Sequence, residues 1–411
     1  MSLLNIALNR LIRHGVLNVI EADGSQHSHG TPAPGYPEVT LRLTDGRVGR
    51  DIVRHPQLGL PEAYIEGRII VEKGDVWDLV MLAKRNGAWE DKGPKRKGPI
   101  KATAKAITRR FNHMNYRAQA KKNVAHHYDL GDRLYDLFLD RDRQYSCAYF
   151  TDPANDIEQA QSDKKAHIAA KLHLKPGQHV LDIGCGWGGM ALYLNERCGV
   201  RVTGITLSED QLRIARERAA AAGVSESVKF ELIDYRDVGP KLGAPFDRIV
   251  SVGMFEHVGA PFYGEFFRTC RELLTRDGVM LLHTIGRIGG PHPTDAFTRK
   301  YSFPGAYVPA LSEITTASEG ARLLTSDIET LRLHYALTLR RWYDRAVEAK
   351  AQIEALYDAN FYRMWTLYLA GAAAGFEYGG TVNYQIQYVR DRRALPITRD
   401  YMFEEERRLR G

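Results

Sequence analysis

This sequence predicts an α/β fold: a doubly wound parallel sheet preceded by a small mixed α+β domain. Three observations predict it. From about Asn123 onward, apolar runs of strand length alternate with longer amphipathic stretches, as in parallel sheets with crossover helices. The run Val180-Leu181-Asp182-Ile183 leads straight into the glycine turn Gly184-Cys185-Gly186-Trp187-Gly188-Gly189. Near the N-terminus, Val39, Leu41 and Leu43 alternate with Thr40, Arg42 and Thr44 beside an Asp45-Gly46 turn signal, a half-buried strand in a hairpin.

The elements follow in order. Leu4, Leu8, Leu11 and Ile12 lie at helical spacing, so the chain starts on an amphipathic helix. After the strand at Val39–Leu43, Val48–Val53 is expected as its hairpin partner and Arg68–Glu72 as a further strand. Gly74-Asp75 caps a helix through Val76, Leu79 and Leu82. Residues 91–99 read as a linker and 101–122 as a basic helix with Ile107, Phe111 and Met114 on one face. Strands are expected at His179–Ile183, Arg201–Thr206, Val228–Ile233, Asp247–Gly253 and Val279–Thr284. Helices are expected at Met190–Arg197 and Glu209–Ala222. The expected domains are 1–90, a lipid- or membrane-associated unit; 91–122, the basic linker and helix; and 123–411, the catalytic domain.

The chain has 411 residues, 44% hydrophobic and 26% charged, enough for two or three cored domains. No window approaches the roughly 18–20 uninterrupted apolar residues of a spanning helix. The four cysteines, Cys147, Cys185, Cys198 and Cys270, show no zinc or dithiol spacing, which fits a reducing cytoplasm. Lys92–Lys122 holds eleven Lys or Arg and no acid, more than the chain's whole net charge of +7. That block suits an anionic surface, phospholipid or nucleic acid, or else a solvated linker.

Glycines suit a turn that needs positive φ and close backbone approach to a ligand. The spacing here is not that of a dinucleotide site, and the second strand ends in Thr206-Leu207-Ser208 with Gln211 a turn later, not in an acid. Asp234-Tyr235-Arg236-Asp237 follows the third strand and offers a planar side chain for adenine. Polar groups at three strand ends facing one crevice mark the ligand site of an open α/β sheet. With this strand order, the region resembles the S-adenosylmethionine-binding half of class I (Rossmann-like) methyltransferases.

Four further stretches narrow the chemistry: Tyr145–Phe150, Met254–Gly259, Leu282–Gly286 and His334–Leu339. Glu256 and His283 each follow a strand, so both are expected at the cofactor crevice. Taken singly, such residues are ordinary: a core histidine, a helix-capping glutamate, a buried cysteine. Together with the glycine loop, Ala125–Gly131 and Arg363-Met364-Trp365, they resemble the cyclopropane-fatty-acyl-phospholipid synthases and mycolic acid cyclopropane synthases from about Asn123 to Gln387. The N-terminal region resembles the extra domain of the phospholipid enzymes.

The resemblance implies methyl transfer from S-adenosyl-L-methionine to a cis double bond of a phospholipid acyl chain, then ring closure. It implies a bound bicarbonate as base, cradled by Cys147, Glu256, His283, Ile285 (through backbone) and Tyr335. For the cofactor it implies Tyr145, Ser146, Asp182, Gly184, Gly186, Trp187, Gly188, Thr206, Leu207, Gln211, Tyr235 and Arg236. Tyr263, Phe267, Tyr301 and Phe303 are aromatic candidates for an acyl tunnel or, equally, plain core. No metal and no nucleic acid are expected. A homodimer in the cytoplasm, in peripheral contact with an anionic membrane, is expected. Some family members carry a cysteine in the late helix; Tyr368–Ala374 here has none, so no thiol there takes part. An alkene is a weak nucleophile, so a dry site that aligns it with the donor is a physical requirement. Methyl-branched or methylene products, and a soluble small-molecule acceptor, are the competing readings.

Overall fold

The computed structural model describes residues 2–93, 131–302 and 306–410, which fall into two compact units. The expected basic helix at 101–122, the Ala125–Gly131 motif up to residue 130, and Phe303 lie outside the described residues.

The larger unit carries a seven-stranded sheet. Its strands are β5 (His179–Ile183), β6 (Arg201–Thr206), β7 (Val228–Leu232), β8 (Phe246–Val252), β9 (Leu274–Arg287), β10 (Leu324–Leu331) and β11 (Thr381–Val389), in the order β10-β11-β9-β8-β5-β6-β7. From β7 to β9 all neighbours are parallel, while β11 runs antiparallel between β9 and β10. The sheet is therefore mixed, not wholly parallel, and the order reverses at β5. That switch point is where open α/β sheets bind ligands. β5 reads Val-Leu-Asp-Ile with four consecutive buried positions, as befits a strand covered on both faces. The helices Gly189–Cys198 and Glu209–Ala221 follow the first two strands. Val180, Ala191, Leu194, Val202 and Phe230 pack on one face; Leu181, Ile183, Phe255, Phe266 and Phe267 pack on the other.

The smaller unit gathers, of the described residues, 2–93, 294–302 and 336–380. Its sheet contains β1 (Val16–Ile20), β2 (Gln26–His29), β3 (Glu38–Leu43) and β4 (Ile69–Lys73) in the order β2-β1-β3-β4. Asp75 caps the helix Val76–Arg85 by accepting from Asp78 N at 2.8 Å, as expected. Two expectations need correction. Val48–Arg54 is a helix, not a strand. Both edges of β3 are taken, by β1 and β4, and Asp45 uses its carboxylate to cap Arg47 N and bind Arg68. The division at 90 and 122 also differs from what is observed, because 336–380 belongs with the N-terminal residues. The long helix Ala359–Glu377 packs on Val76–Arg85, Arg363 Nε donates to Ile65 O at 2.8 Å, and Trp89 N donates to Tyr378 O at 2.8 Å. Nothing in the local sequence of 336–380 marks that distant partner. Among the described residues, no helix is long and apolar enough to cross a membrane.

Candidate active site

A cleft opens at the C-terminal ends of β5, β6, β7 and β8. Tyr145 and Ser146 form one wall; Asp182, Gly184, Gly186 and Trp187 come from β5 and its turn; Thr206, Leu207 and Gln211 follow β6; and Tyr235 and Arg236 follow β7. The turn needs its glycines. Gly184, Gly186 and Gly188 have φ of +83°, +54° and +84°, where L side chains are strained. Gly188 differs from the other two, since it does not line the cleft. A Cβ there would sit 2.7 Å from Phe230 Cζ, so this glycine serves helix–strand packing.

The cleft's polar groups are held before any ligand arrives. Thr206 Oγ1 donates to Gln211 Oε1 at 2.9 Å, and Ser208 caps the next helix through Gln211 N. Arg236 is clamped by both oxygens of Asp234, at 2.7 and 2.6 Å, which neutralises it and fixes it beside Tyr235. Burial pushes the Asp182 carboxyl up to about 7, against the pull of the Lys164 ammonium. Its Oδ2 has no hydrogen-bond partner in the protein, leaving an acceptor for a ligand donor.

Sequence reasoning missed part of the lining: Arg143, Gln144, Asp234, Met254 and His257. Asp234 and His257 stand next to residues that were singled out, and that adjacency was the available signal. Burial pushes His257 down to about 4, so it is a neutral imidazole at neutral pH. Gly189 was part of the glycine motif, and its use is now visible. A Cβ there would lie 2.4 Å from Gln144 Nε2, so its absence lets the 142–144 segment approach the helix start.

On the acceptor side, Glu256 and His283 are not among the residues lining this cleft, contrary to expectation. Glu256 sits in the turn Phe255–His257 after β8, 6% exposed. Its Oε1 accepts from Ile285 N at 2.5 Å, and Oε2 is buried without a partner. Burial pushes its carboxyl up to about 7. His283 lies inside β9, not after it, because that strand runs on to Arg287. Its Nδ1 is 3.1 Å from Gln385 Nε2, and its Nε2 is 3.1 Å from the side-chain amide of Asn383. Gln385 turns its oxygen to Lys171 Nζ at 2.7 Å, so its NH2 faces Nδ1. The proton of the neutral ring is thereby assigned to Nε2, with the Asn383 amide turned so that its oxygen, otherwise without a partner, accepts it. Burial, with the nearby Lys164 and Lys171 charges, holds His283 well below the usual histidine range. Cys147 is buried, its thiol 3.4 Å from Ala148 O, and Tyr335 is buried at the start of the helix His334–Glu348. Of the five cradle residues, Glu256 and Ile285 are joined directly.

The aromatic candidates divide. Tyr263 and Phe267 belong to the core, with Tyr263 stacked on Phe255 at 4.2 Å. Tyr301 lies in the smaller unit, its hydroxyl 3.2 Å from Glu62 Oε1.

Residues 115–386 match the family described as mycolic acid cyclopropane synthetase. The chain is 35% identical to a probable fatty acid methyltransferase of Pseudomonas putida, over 93% of this chain and 94% of that one. It is 35% identical to the cyclopropane-fatty-acyl-phospholipid synthase of Escherichia coli K12, over 84% and 87%. Its structure matches mycolic acid cyclopropane synthase CmaA1, complexed with SAH and CTAB, with a TM-score of 0.61 and 33% identity over 65% and 97%. The chain belongs to the mycolic acid cyclopropane synthetase family and is an S-adenosylmethionine-dependent methyltransferase.

Proposed function

We propose that this enzyme transfers a methylene carbon to the cis double bond of an unsaturated phospholipid acyl chain, giving a cyclopropane fatty acid. The observation that carries the reading is Glu256, a fully buried carboxyl beyond the cofactor cleft, raised to about 7, with one oxygen fixed by Ile285 N and the other unpartnered. A plain methyl transfer to an oxygen or nitrogen ends when the acceptor's own proton leaves. Ring closure demands removal of a proton from the new methyl group, so it needs a buried proton acceptor. When bound, S-adenosylmethionine supplies the carbon and bicarbonate takes up that proton.

The residues present fit bicarbonate in part. The unpartnered Glu256 oxygen would orient the bicarbonate and accept its hydroxyl proton, and the Cys147 thiol and Tyr335 hydroxyl would complete its hold. Ile285 N–H already serves Glu256, so its part is to orient that carboxyl. His283 is engaged at both ring nitrogens and would have to release one amide to reach an anion. Cleft residues bind and orient the donor; the aliphatic and aromatic surround keeps water from the charge that develops on the acyl chain.

Because the substrate lies in a bilayer, this reading includes a cytoplasmic, dimeric enzyme docked on anionic membrane through the basic 92–122 segment. A second reading, a methyl-branched or methylene product, is favoured by the name of the Pseudomonas putida relative. One assay separates them. Vesicles containing cis-monounsaturated phospholipid are incubated with enzyme and isotopically labelled S-adenosylmethionine, and the acyl products are analysed by mass spectrometry and NMR. Gain of one CH2 with upfield ring protons is expected. A gain without ring protons overturns the cyclopropane reading, and no label in lipid overturns the acyl acceptor.

A further inference from the structure

Behind the Tyr145–Ser146 wall of the cleft lies an ammonium group that no step above uses. Lys164, on the helix Ile157–Leu172, is 0% exposed. Its Nζ donates to Gln144 Oε1 at 2.6 Å and to Ser146 Oγ at 2.9 Å. Both partners are neutral, and both line the cleft. A buried ammonium normally faces a carboxylate, because taking a lone charge out of water costs several kcal/mol. Asp142 is taken by Lys165 at 2.6 Å and by Arg218, and Arg236 is clamped by Asp234; the carboxylate left near Lys164 is Asp140, whose oxygens accept from Gln144 N and Asp142 N and make no ion pair with it. The positive charge of Lys164 is thus presented to the cleft through two relay side chains.

The contact also fixes the polarity of the wall. Since Ser146 Oγ accepts from the ammonium, its own O–H must turn elsewhere and is free to donate into the cleft. The backbone is pinned separately, by Gln161 Nε2 donating to Gln144 O at 3.1 Å and Ser146 O at 3.0 Å. Shape and charge on this wall therefore come from two residues one helical turn apart. After β6 and β7 the cleft offers Thr206, Gln211 and the Tyr235 ring, suited to the neutral nucleoside.

We infer that Lys164 is a positioning residue which, through Ser146 and Gln144, makes this wall the subsite for the α-carboxylate of the cofactor's methionine part. The inference rests on S-adenosylmethionine as the cofactor. No atom of Lys164 touches the ligand; it orients the serine hydroxyl and supplies the charge that the carboxylate answers.

The test compares two ligands by calorimetry at pH 7: S-adenosylhomocysteine and its decarboxylated analogue, which keeps the adenosyl group and the amine. Lys164→Met should weaken S-adenosylhomocysteine about tenfold or more and change the analogue by no more than about twofold. Lys164→Gln keeps hydrogen bonding without charge and should shift the same ratio. Gln161→Ala, which loosens the wall, should weaken both ligands alike. Wild-type protein gives an independent reading, because burial pushes the Lys164 amine down to about 8 against the pull of Asp140. The groups facing it are Asp140, Asp142, Lys165, Cys147, Asp182 and His283. Preference for the carboxylated ligand should fall between pH 7 and 9 in wild type and stay flat in Lys164→Met. Equal losses for both ligands in the Lys164 variants, or a ratio unchanged in them and across pH, overturns the inference. Wild-type protein that binds neither ligand would instead overturn the cofactor assignment.

Discussion

Ile285 N donates to Glu256 Oε1 at 2.5 Å, tying the edge of β9 to the turn after β8 and leaving the second carboxylate oxygen buried and unpartnered. Glu256→Gln keeps the acceptor for Ile285 but removes the proton exchange. Turnover should fall by about 10²–10⁴. S-adenosylhomocysteine affinity should stay within about twofold, since Glu256 does not line the cofactor cleft. Single-turnover kinetics and calorimetry check the pair, and near-wild-type turnover would remove Glu256 from the chemistry.

The same carboxyl predicts a pH dependence of stability. Its folded value, about 7, lies above the ordinary 4.5, so between those values the folded state binds more protons than the unfolded state. Stability therefore falls as pH rises from about 4.5 through 7. Glu256→Gln should flatten this slope, narrowing the pH 5 to pH 8.5 difference by roughly 1–3 kcal/mol. Urea unfolding at both pH values measures it, and parallel wild-type and variant profiles would contradict the assignment.

His283→Ala should cost stability as well as turnover. It strands the amides of Asn383 and Gln385 in the core and opens a cavity, together about 2–4 kcal/mol. Thermal unfolding should show a clearly lower Tm, whereas a stable, inactive variant would mean that His283 acts chemically and is not mainly structural.

Two of the three positive-φ glycines, Gly186 and Gly188, should separate by readout. Gly186 has open space around it, so Gly186→Val should abolish cofactor binding by strain and by filling the cleft. Gly188→Ala collides with Phe230 and should lower Tm, with a smaller effect on affinity. Calorimetry and thermal unfolding on both variants distinguish them; the reverse ranking would reassign the turn.

Neutralising Lys95, Arg96, Lys97 and Lys101 to Gln should weaken binding to anionic vesicles, each engaged cation being worth about 1 kcal/mol at low salt. Activity on detergent-dispersed substrate should change little. Vesicle sedimentation showing wild-type binding would leave the segment as a linker.

What the sequence made legible was local. β5 and its turn could be placed because a strand buried on both faces must be continuously apolar, and because only glycine adopts the turn's φ without strain. The family resemblance implied the twelve cofactor residues, and eleven of them line one cleft. Long-range pairing was not legible. β11, antiparallel between β9 and β10, was missed because nothing in Thr381–Val389 reveals its neighbours. Val48–Arg54 was misread because Asp45-Gly46 reads as a hairpin until both edges of β3 are known to be occupied. Lys164 was not singled out, since burial of a charge is a property of packing and not of spacing.

The smaller unit is assembled from three stretches of chain, and this bears on how the protein can be made. When a ribosome has delivered residues 2–93, the helix Val76–Arg85 still lacks Ala359–Glu377, against which it packs. Leu79 and Leu82 already have their partners in the core formed by residues 4–82, but the side that meets Ala359–Glu377 must wait for nearly three hundred further residues to emerge. A gene fragment cut near residue 93 should accordingly keep a core of its own while leaving exposed the helix side that Ala359–Glu377 covers. A shortened form that keeps this unit intact would have to splice 294–304 and 336–380 back onto it.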